Sequence, residues 1–156
     1  MITIDQIKQL REETGVSLTE IKKALEQSHG DTKKAKELLK IWGKTLAGKK
    51  FNKETKQGII ETYIHPNLKT GVLLDIRCES DFVAKSKEFK NLAHEICLQI
   101  AAMKPLFIND SDIPEKFLDR EENISLLSQS WIKDDTRTIK NLIEETVAKI
   151  GENIEI

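Results

Sequence analysis

The spacing of apolar residues in this chain changes once, near residue 58, and that change limits the folds available to it. Before it, apolar residues recur at the 3.6-residue period of an amphipathic helix. After it, residues 59–64 and 72–78 are rich in strand-forming side chains, and the second run alternates apolar with polar positions. Pro66, Asn67 and Gly71 supply turn residues between the two runs. The sequence therefore predicts an antiparallel hairpin that follows a helical region.

The first 43 residues carry start and stop signals for three short helices. Thr3 and Ser17 each open a capping box, in which a hydroxyl residue is followed three positions later by Gln or Glu. Gly15 and Gly30 suit the left-handed position that ends a helix, and we expect the third helix to end at Gly43. Because isolated helices of about ten residues do not persist in water, the three are predicted to pack as a bundle.

Helical spacing returns after the hairpin. A helix is predicted here because its apolar residues would share one face: Phe89, Ala93, Ile96 and Ile100. Two further helices are predicted near 115–129 and 137–150. Residues 153–156 begin to alternate like a strand. The predicted fold class is α+β, with helices packed on an antiparallel sheet. We divide the chain into a three-helix module, a lysine-rich linker with or without some helix, and a core domain: residues 1–43, 44–57 and 58–156.

Charge and composition narrow the class of function. The chain has 25 basic and 26 acidic residues, a net charge of −1, which argues against a general nucleic-acid binder. Residues 44–56 carry five lysines against one glutamate, so this run is either a solvated tether or a contact for RNA. We favour the tether, because Phe51 is the single aromatic residue there and single-strand binders usually supply several.

The sequence shows no motif typical of catalysis or of metal binding. There is no phosphate-binding glycine loop, and His29, His65 and His94 lack the spacing of metal ligands, so we expect no enzyme activity, cofactor or metal. Cys78 and Cys97 share faces with apolar residues and are interpreted as core residues. Without a membrane-length apolar segment or a signal peptide, we expect a soluble protein of the cytoplasm.

Three aromatic residues have competing interpretations. Phe82 and Phe89 are seven residues apart and would share a face of a continuous helix, so periodicity alone favours a core position for Phe82. Trp42 is interpreted as a cap on the core of the small bundle. Trp131 lies among polar residues, where it either packs locally or anchors a partner; we favour local packing.

Three stretches of the chain resemble the elongation factor Ts family. They are Leu10-Arg11-Glu12-Glu13-Thr14-Gly15 continuing to Gly30-Asp31, then Tyr63-Ile64-His65-Pro66 continuing to Cys78-Glu79-Ser80-Asp81-Phe82-Val83-Ala84-Lys85, and finally Ala148-Lys149-Ile150-Gly151-Glu152-Asn153-Ile154. The family motif reads T-D-F-V-A, so Ser80 is a conservative departure. The matches keep the family's order along nearly the whole chain, and together they are far more specific than any one of them.

The resemblance implies a function in translation. Members of the family bind the GTPase elongation factor Tu and promote release of its GDP, without making or breaking a covalent bond. It implies that the helical module, of the ubiquitin-associated type, docks on the GTPase domain, while a phenylalanine inserts between helices of that domain and disturbs the magnesium and β-phosphate site. The residues implicated are Ser80, Asp81, Phe82 and Val83 around the insertion, and Arg11, Gly15, Val16 and Leu18 in the module.

Two further expectations accompany the resemblance. Some relatives carry two methionines where this chain has Leu18 and Thr19, which leaves the contacts of the module open. Relatives normally continue with more strand after residue 154, so the core domain is expected to be short at its C-terminal end. Because short relatives can dimerise and an edge strand invites pairing, a homodimer is a second expectation. The alternative function is an interaction or RNA-binding adaptor without exchange activity.

Overall fold

The computed structural model describes residues 2–50, 52–117 and 124–156. Its helices are α1 (Ile4–Thr14), α2 (Leu18–Gln27), α3 (Thr32–Lys50), α4 (Asp81–Lys85), α5 (Lys87–Met103) and α6 (Ile139–Ile150). Its strands are β1 (Gln57–Ile64), β2 (Gly71–Cys78), β3 (Ser130–Trp131), β4 (Asp134–Thr138) and β5 (Ile154–Glu155). Helices followed by a sheet with helices packed on it confirm the predicted α+β class.

The helix starts and the first stop lie where the local signals predict them. The Thr3 side chain accepts a hydrogen bond from the backbone N–H of Gln6, whose side chain accepts one from the backbone N–H of Thr3. The Ser17 side chain likewise accepts from the backbone N–H of Glu20 and opens α2. Gly15 ends α1 with φ of 66°, a left-handed conformation that costs glycine little. Capping chemistry therefore fixes the turn between α1 and α2.

The third helix extends beyond the predicted end. We expected it to end at Gly43, with a linker over 44–57, but α3 continues to Lys50. Gly43 lies within the helix, where a Cβ added to it would come 2.9 Å from the Cβ of Ala148 on α6. The glycine therefore serves close packing between two helices and not termination, and the lysines that follow are good helix formers. The domain boundaries themselves remain a prediction.

The N-terminal helices bury an apolar core of their own. Its buried members are contributed by all three helices: Leu10, Ile21, Ala24, Leu25, Ala35 and Leu39. Trp42 is partly buried and packs against this cluster, as predicted. Burying a leucine or isoleucine side chain contributes roughly 1.5–3 kcal/mol, so the cluster offsets the cost of nucleating three short helices.

The predicted hairpin forms two strands of a three-stranded sheet, in which β2 is central. β1 pairs antiparallel with β2, with Thr62 opposite Leu73, and β2 pairs on its other edge with β5. Alternation along β2 buries Leu74, Ile76 and Cys78, as predicted. The buried face packs against α5, which contributes Phe89, Ala93, Ile96 and Cys97 to the same core.

Part of the predicted C-terminal helix content is wrong. The helix expected over 115–129 is replaced by short 3-10 turns at Glu115–Phe117 and Leu126–Ser128, and residues 118–123 of that prediction lie outside the described residues. Backbone hydrogen bonds explain the second turn: the N–H of Leu126 donates to the carbonyl of Phe107 at 2.9 Å, and that of Leu127 donates to the carbonyl of Ile108 at 3.1 Å. Because these N–H groups pair with a distant segment, they are not available for the i to i−4 bonds of an α-helix.

The last predicted helix is confirmed. α6 begins after a capping box at Thr138 and ends at Gly151, which has φ of 76°. The segment that follows it pairs with β2 as β5, so the predicted strand character near residue 154 is also confirmed. Within the described ranges, no helix combines the length and apolar content that a membrane span needs.

Candidate functional site

Phe82 lies on α4, a helix of five residues between β2 and α5, and 85% of it is exposed. The core interpretation of this side chain is therefore wrong, because Phe82 and Phe89 do not share a continuous helix. Phe89, on α5, is fully buried. An exposed phenylalanine on an ordered element is uncommon, and its place directly after the central strand makes it the most prominent candidate on the surface.

A break at Ser86 separates the two phenylalanines. Ser86 has ψ of 151°, which is extended, and its hydroxyl donates to the carbonyl of Val83 at 2.7 Å. The same hydroxyl accepts from the backbone N–H of Phe89 at 3.2 Å. Ser86 thus ends one helix and caps the next, as serine at an N-cap favours. The change of direction exposes Phe82 and buries Phe89.

The other side of α4 is attached to the core. Ala84 is 5% exposed and belongs to the core cluster, and Val83 is partly buried against it. Val83 therefore holds α4 against the core. Because Val83 and Ala84 pack against the core on one side of α4, Phe82 on the other side faces away from it.

The start of α4 is held by a carboxylate from the far end of the chain. Ser80 is the N-cap, and its hydroxyl accepts from the backbone N–H of Val83 at 3.4 Å. That hydroxyl donates to Oε1 of Glu152 at 2.6 Å, and the backbone N–H of Ser80 donates to Oε2 at 2.9 Å. The sequence reasoning missed Glu152, since nothing local connects residues 72 positions apart.

Asp81 presents a negative charge beside Phe82. Its carboxylate accepts a hydrogen bond from Nζ of Lys85 one turn along α4 at 2.9 Å. That hydrogen bond and the charge of the lysine hold the pKa of Asp81 below its usual value. The pair is exposed, so it contributes little to folding and leaves both charges open to a partner.

The residues predicted in the helical module lie around the turn from α1 to α2. Arg11 is exposed on the last turn of α1, where its carbonyl accepts from the backbone N–H of Gly15. Leu18 is 45% exposed at the start of α2, while Val16 is partly buried against the core of the module. The structure groups these four residues on one turn, apart in the fold from α4.

Helix α6 connects the two predicted surfaces. A Cβ added at Gly15 would clash with the side chain of Lys149 near the end of α6, and Gly43 packs against Ala148 one residue earlier. Glu152, just past the same helix, holds Ser80. The turn of the module and the start of α4 are therefore attached to one short stretch of chain, a relation that sequence reasoning did not predict.

A cleft of about 860 Å³ lies between the module and the core. Both signs of charge line it, with Glu13, Lys36 and Lys40 on the module and Arg137 and Glu145 on the core. Arg137 is already bound to Glu145 at 2.8 Å and stacks over the ring of Trp131 with its Cζ 4.8 Å from the centroid. Trp131 thus packs locally, as predicted, and on the module side Lys36 pairs with Glu13 at 3.0 Å.

The two cysteine thiols, which are potential nucleophiles, are buried. Burial raises the pKa of the Cys97 thiol to about 11, and burial also raises the pKa of Cys78. Both cysteines are fully buried, which confirms the prediction that they are core residues. Among the described residues, no group of His, Cys, Asp and Glu is placed to hold a metal ion.

Comparison with known proteins gives one consistent result. The family model described as elongation factor TS matches residues 4–125. Elongation factor Ts of Thermotoga petrophila is 40% identical over 183 aligned positions, covering 99% of this chain and 92% of the relative. That of Coprothermobacter proteolyticus is also 40% identical, covering 98% and 93%, and that of Thermoanaerobacter sp. is 37% identical, covering 100% and 91%. This chain belongs to the elongation factor Ts family.

Proposed function

We propose that this protein binds elongation factor Tu in its GDP form and promotes release of the nucleotide during translation elongation. Family membership supports the partner, and the exposed Phe82 supports the mechanism. An ordered phenylalanine that is 85% exposed, seven residues before a fully buried one, is the observation that carries the proposal. The protein then acts in the cytoplasm with its partner, and it changes a binding equilibrium without acting as an enzyme on a covalent bond.

The proposed mechanism is insertion of Phe82 between helices of the GTPase domain, where it disturbs the site that holds magnesium and the β-phosphate. Weaker magnesium contacts leave the phosphate charge less neutralised, so GDP dissociates faster. Because the exchange factor and GDP then oppose each other's binding, the coupling is reciprocal, and binding of GTP displaces the factor later. The factor gains its preference for the nucleotide-free state from contacts that only the distorted pocket allows.

Magnitudes indicate that Phe82 does not act alone. Burying a phenylalanine side chain contributes about 1.5–3 kcal/mol. Bringing two proteins together costs about 4–15 kcal/mol in lost freedom, which exceeds that gain. We therefore assign the remaining affinity to the ubiquitin-associated-like module, through Arg11, Gly15, Val16 and Leu18, and to Ser80, Asp81 and Val83 around the inserted ring.

The test measures release of a fluorescent GDP analogue from the cognate elongation factor Tu. The wild-type protein is expected to accelerate release, and Phe82→Ala to remove most of the acceleration while the unfolding transition stays unchanged. Leu68→Ala is the matched control, because Leu68 is also a large apolar residue, 82% exposed, in the turn between β1 and β2. Binding without acceleration by the wild type would favour the alternative, an adaptor without exchange activity.

We also propose that the outer face of the sheet binds a second copy of this chain. Ile60, Ile64 and Leu73 are 56%, 69% and 75% exposed there, and Leu73 lies opposite Thr62 between the two isoleucines. Beside them Arg77 donates to Asp75 at 2.6 Å, so the charges on this face are paired internally and do not repel an identical face.

Sedimentation equilibrium tests the homodimer. The wild-type protein is expected to sediment as a dimer at micromolar concentration, and Leu73→Lys as a monomer, because an unpaired ammonium group buried in an apolar interface is strongly unfavourable. Lys69→Ala, in the nearby turn, serves as the control and leaves the dimer intact. A monomeric wild-type protein at high concentration contradicts this part of the proposal.

A further inference from the structure

The segment after α6 returns to the start of α4 and binds it through Glu152. The carboxylate is half-buried and accepts two hydrogen bonds from one residue, at 2.6 Å from the hydroxyl of Ser80 and at 2.9 Å from its backbone N–H. Hydrogen bonds to an ionised carboxylate are stronger than neutral ones. Ser80 is therefore fixed in both its backbone and its side chain from a position 72 residues away.

Ser80 stabilises the first turn of α4. Its hydroxyl accepts from the N–H of Val83, and its carbonyl accepts from the N–H of Ala84 at 3.2 Å. A helix of five residues is too short to persist by itself. The direction of Phe82 follows from the backbone of this turn, because most of its side chain is free in solvent. The orientation of the ring thus depends on a carboxylate that does not touch it.

We propose that Glu152 is a positioning residue for Phe82. It holds the Ser80 cap so that the ring already points outward, in the conformation that inserts, before the partner arrives. This inference rests on the proposed exchange function. An interface element that is ordered in advance loses less conformational freedom on binding, so removal of the carboxylate is expected to weaken insertion while the module still docks.

Glu79 provides a matched control one residue before Ser80. Its carboxylate accepts from the backbone N–H of Asn153 at 2.7 Å and pairs with Lys53 at 3.5 Å. Glu79 thus ties the same C-terminal segment to the end of β2, but through Asn153 instead of Ser80. Comparing the two carboxylates separates a loosened C-terminal segment from a loosened cap.

The experiment measures GDP release against concentration of each variant. Glu152→Ala is expected to lower the maximal rate about tenfold with a half-saturating concentration close to that of the wild type, since hydrogen bonds to a charged group are lost. Glu152→Gln keeps an acceptor oxygen and is expected to recover most of the rate. Glu79→Ala is expected to retain the wild-type maximal rate.

A second variant background tests whether Glu152 acts through Phe82. If it does, Glu152→Ala added to Phe82→Ala lowers the rate no further. Hydrogen exchange of the free protein gives a reading without the partner: the amides of Val83 and Ala84 should exchange about tenfold faster in Glu152→Ala. Effects that multiply in the double variant, or unchanged exchange of those amides, would overturn the positioning role.

The two proposals fail in different ways. If the wild-type protein does not accelerate GDP release, the exchange function itself is wrong. If the wild type accelerates release and Glu152→Ala matches it, only the role of Glu152 is wrong. Should Glu152→Ala not fold, Glu152→Met takes its place, because it removes both acceptor oxygens and keeps the length of the side chain; unchanged exchange of the Val83 and Ala84 amides in that variant would overturn the positioning role.

Discussion

Phe82 and Phe89 are seven residues apart in the chain and have opposite environments. Phe82 is 85% exposed at the start of a five-residue helix, whereas Phe89 is fully buried on a helix of 17 residues. Both helices begin after a serine cap. The difference arises from the extended backbone at Ser86, which turns the second helix so that it packs on the sheet.

The comparison teaches how a chain can keep an apolar side chain in solvent. Hydrophobic burial would draw Phe82 inward if α4 were free to rotate, since burying such a ring contributes about 1.5–3 kcal/mol. Val83 and Ala84 occupy the core side of α4, and the Ser80 cap fixes its start. The exposed ring of Phe82 breaks the rule that large apolar side chains are buried, and the contacts of its neighbours maintain that exposure.

The largest expected effect is on stability, from Phe89→Ala. Removing a fully buried ring should lower the free energy of unfolding by about 3–5 kcal/mol, since the core loses apolar burial and gains a cavity. Phe82→Ala should change it by less than about 0.5 kcal/mol. Urea denaturation of both variants measures the contrast. A loss of similar size for Phe82→Ala would show that its ring belongs to the core.

A smaller effect is expected from Ser86→Ala, which removes the residue that separates the two environments. The free energy of unfolding should fall by about 1 kcal/mol, because the cap of α5 and the bond to the carbonyl of Val83 are both lost. Hydrogen exchange at the amide of Phe89 should increase. Ser111→Ala, in the exposed 3-10 turn Asp110–Asp112, is the control and should change stability by less than about 0.5 kcal/mol.

The smallest expected effect concerns the charge beside Phe82. Lys85 holds the pKa of Asp81 down, so the pair's stabilisation is present above the ordinary carboxyl pKa and is lost as pH falls through the lowered one. In Lys85→Gln the pKa of Asp81 should rise toward its ordinary value, as followed by carbon-13 NMR titration. Lys90→Gln should leave it unchanged. If Lys85→Gln also leaves it unchanged, the ion pair does not form in solution.

Local signals predicted a large part of the fold. The capping hydroxyls of Thr3 and Ser17 and the alternation along β2 act over a few residues, so they can be read from a short window. The failures have long-range causes. The helix predicted over 115–129 does not form where the backbone N–H groups of Leu126 and Leu127 pair with residues 107–108, well before them in sequence. Gly43 lies within a helix, where the absence of a side chain allows the close approach of Ala148 from far along the chain.

In the candidate site, too, some features could be predicted from local sequence and others depend on long-range contacts. The family motif from Ser80 to Lys85 identified the residues, and the resemblance implied their partner. Periodicity by itself would have buried Phe82. Its exposure needed the break at Ser86, the packing of Ala84 and the carboxylate of Glu152, which act together only in the folded chain.

The sequence by itself determined the α+β class, the capped starts of the first two helices, the hairpin and the family, because these depend on local backbone preferences and on residue order. Only the tertiary structure decided which phenylalanine faces solvent and which carboxylate holds its helix. Those outcomes depend on contacts between residues far apart in the chain, and a contact of that kind leaves no periodic mark on either segment.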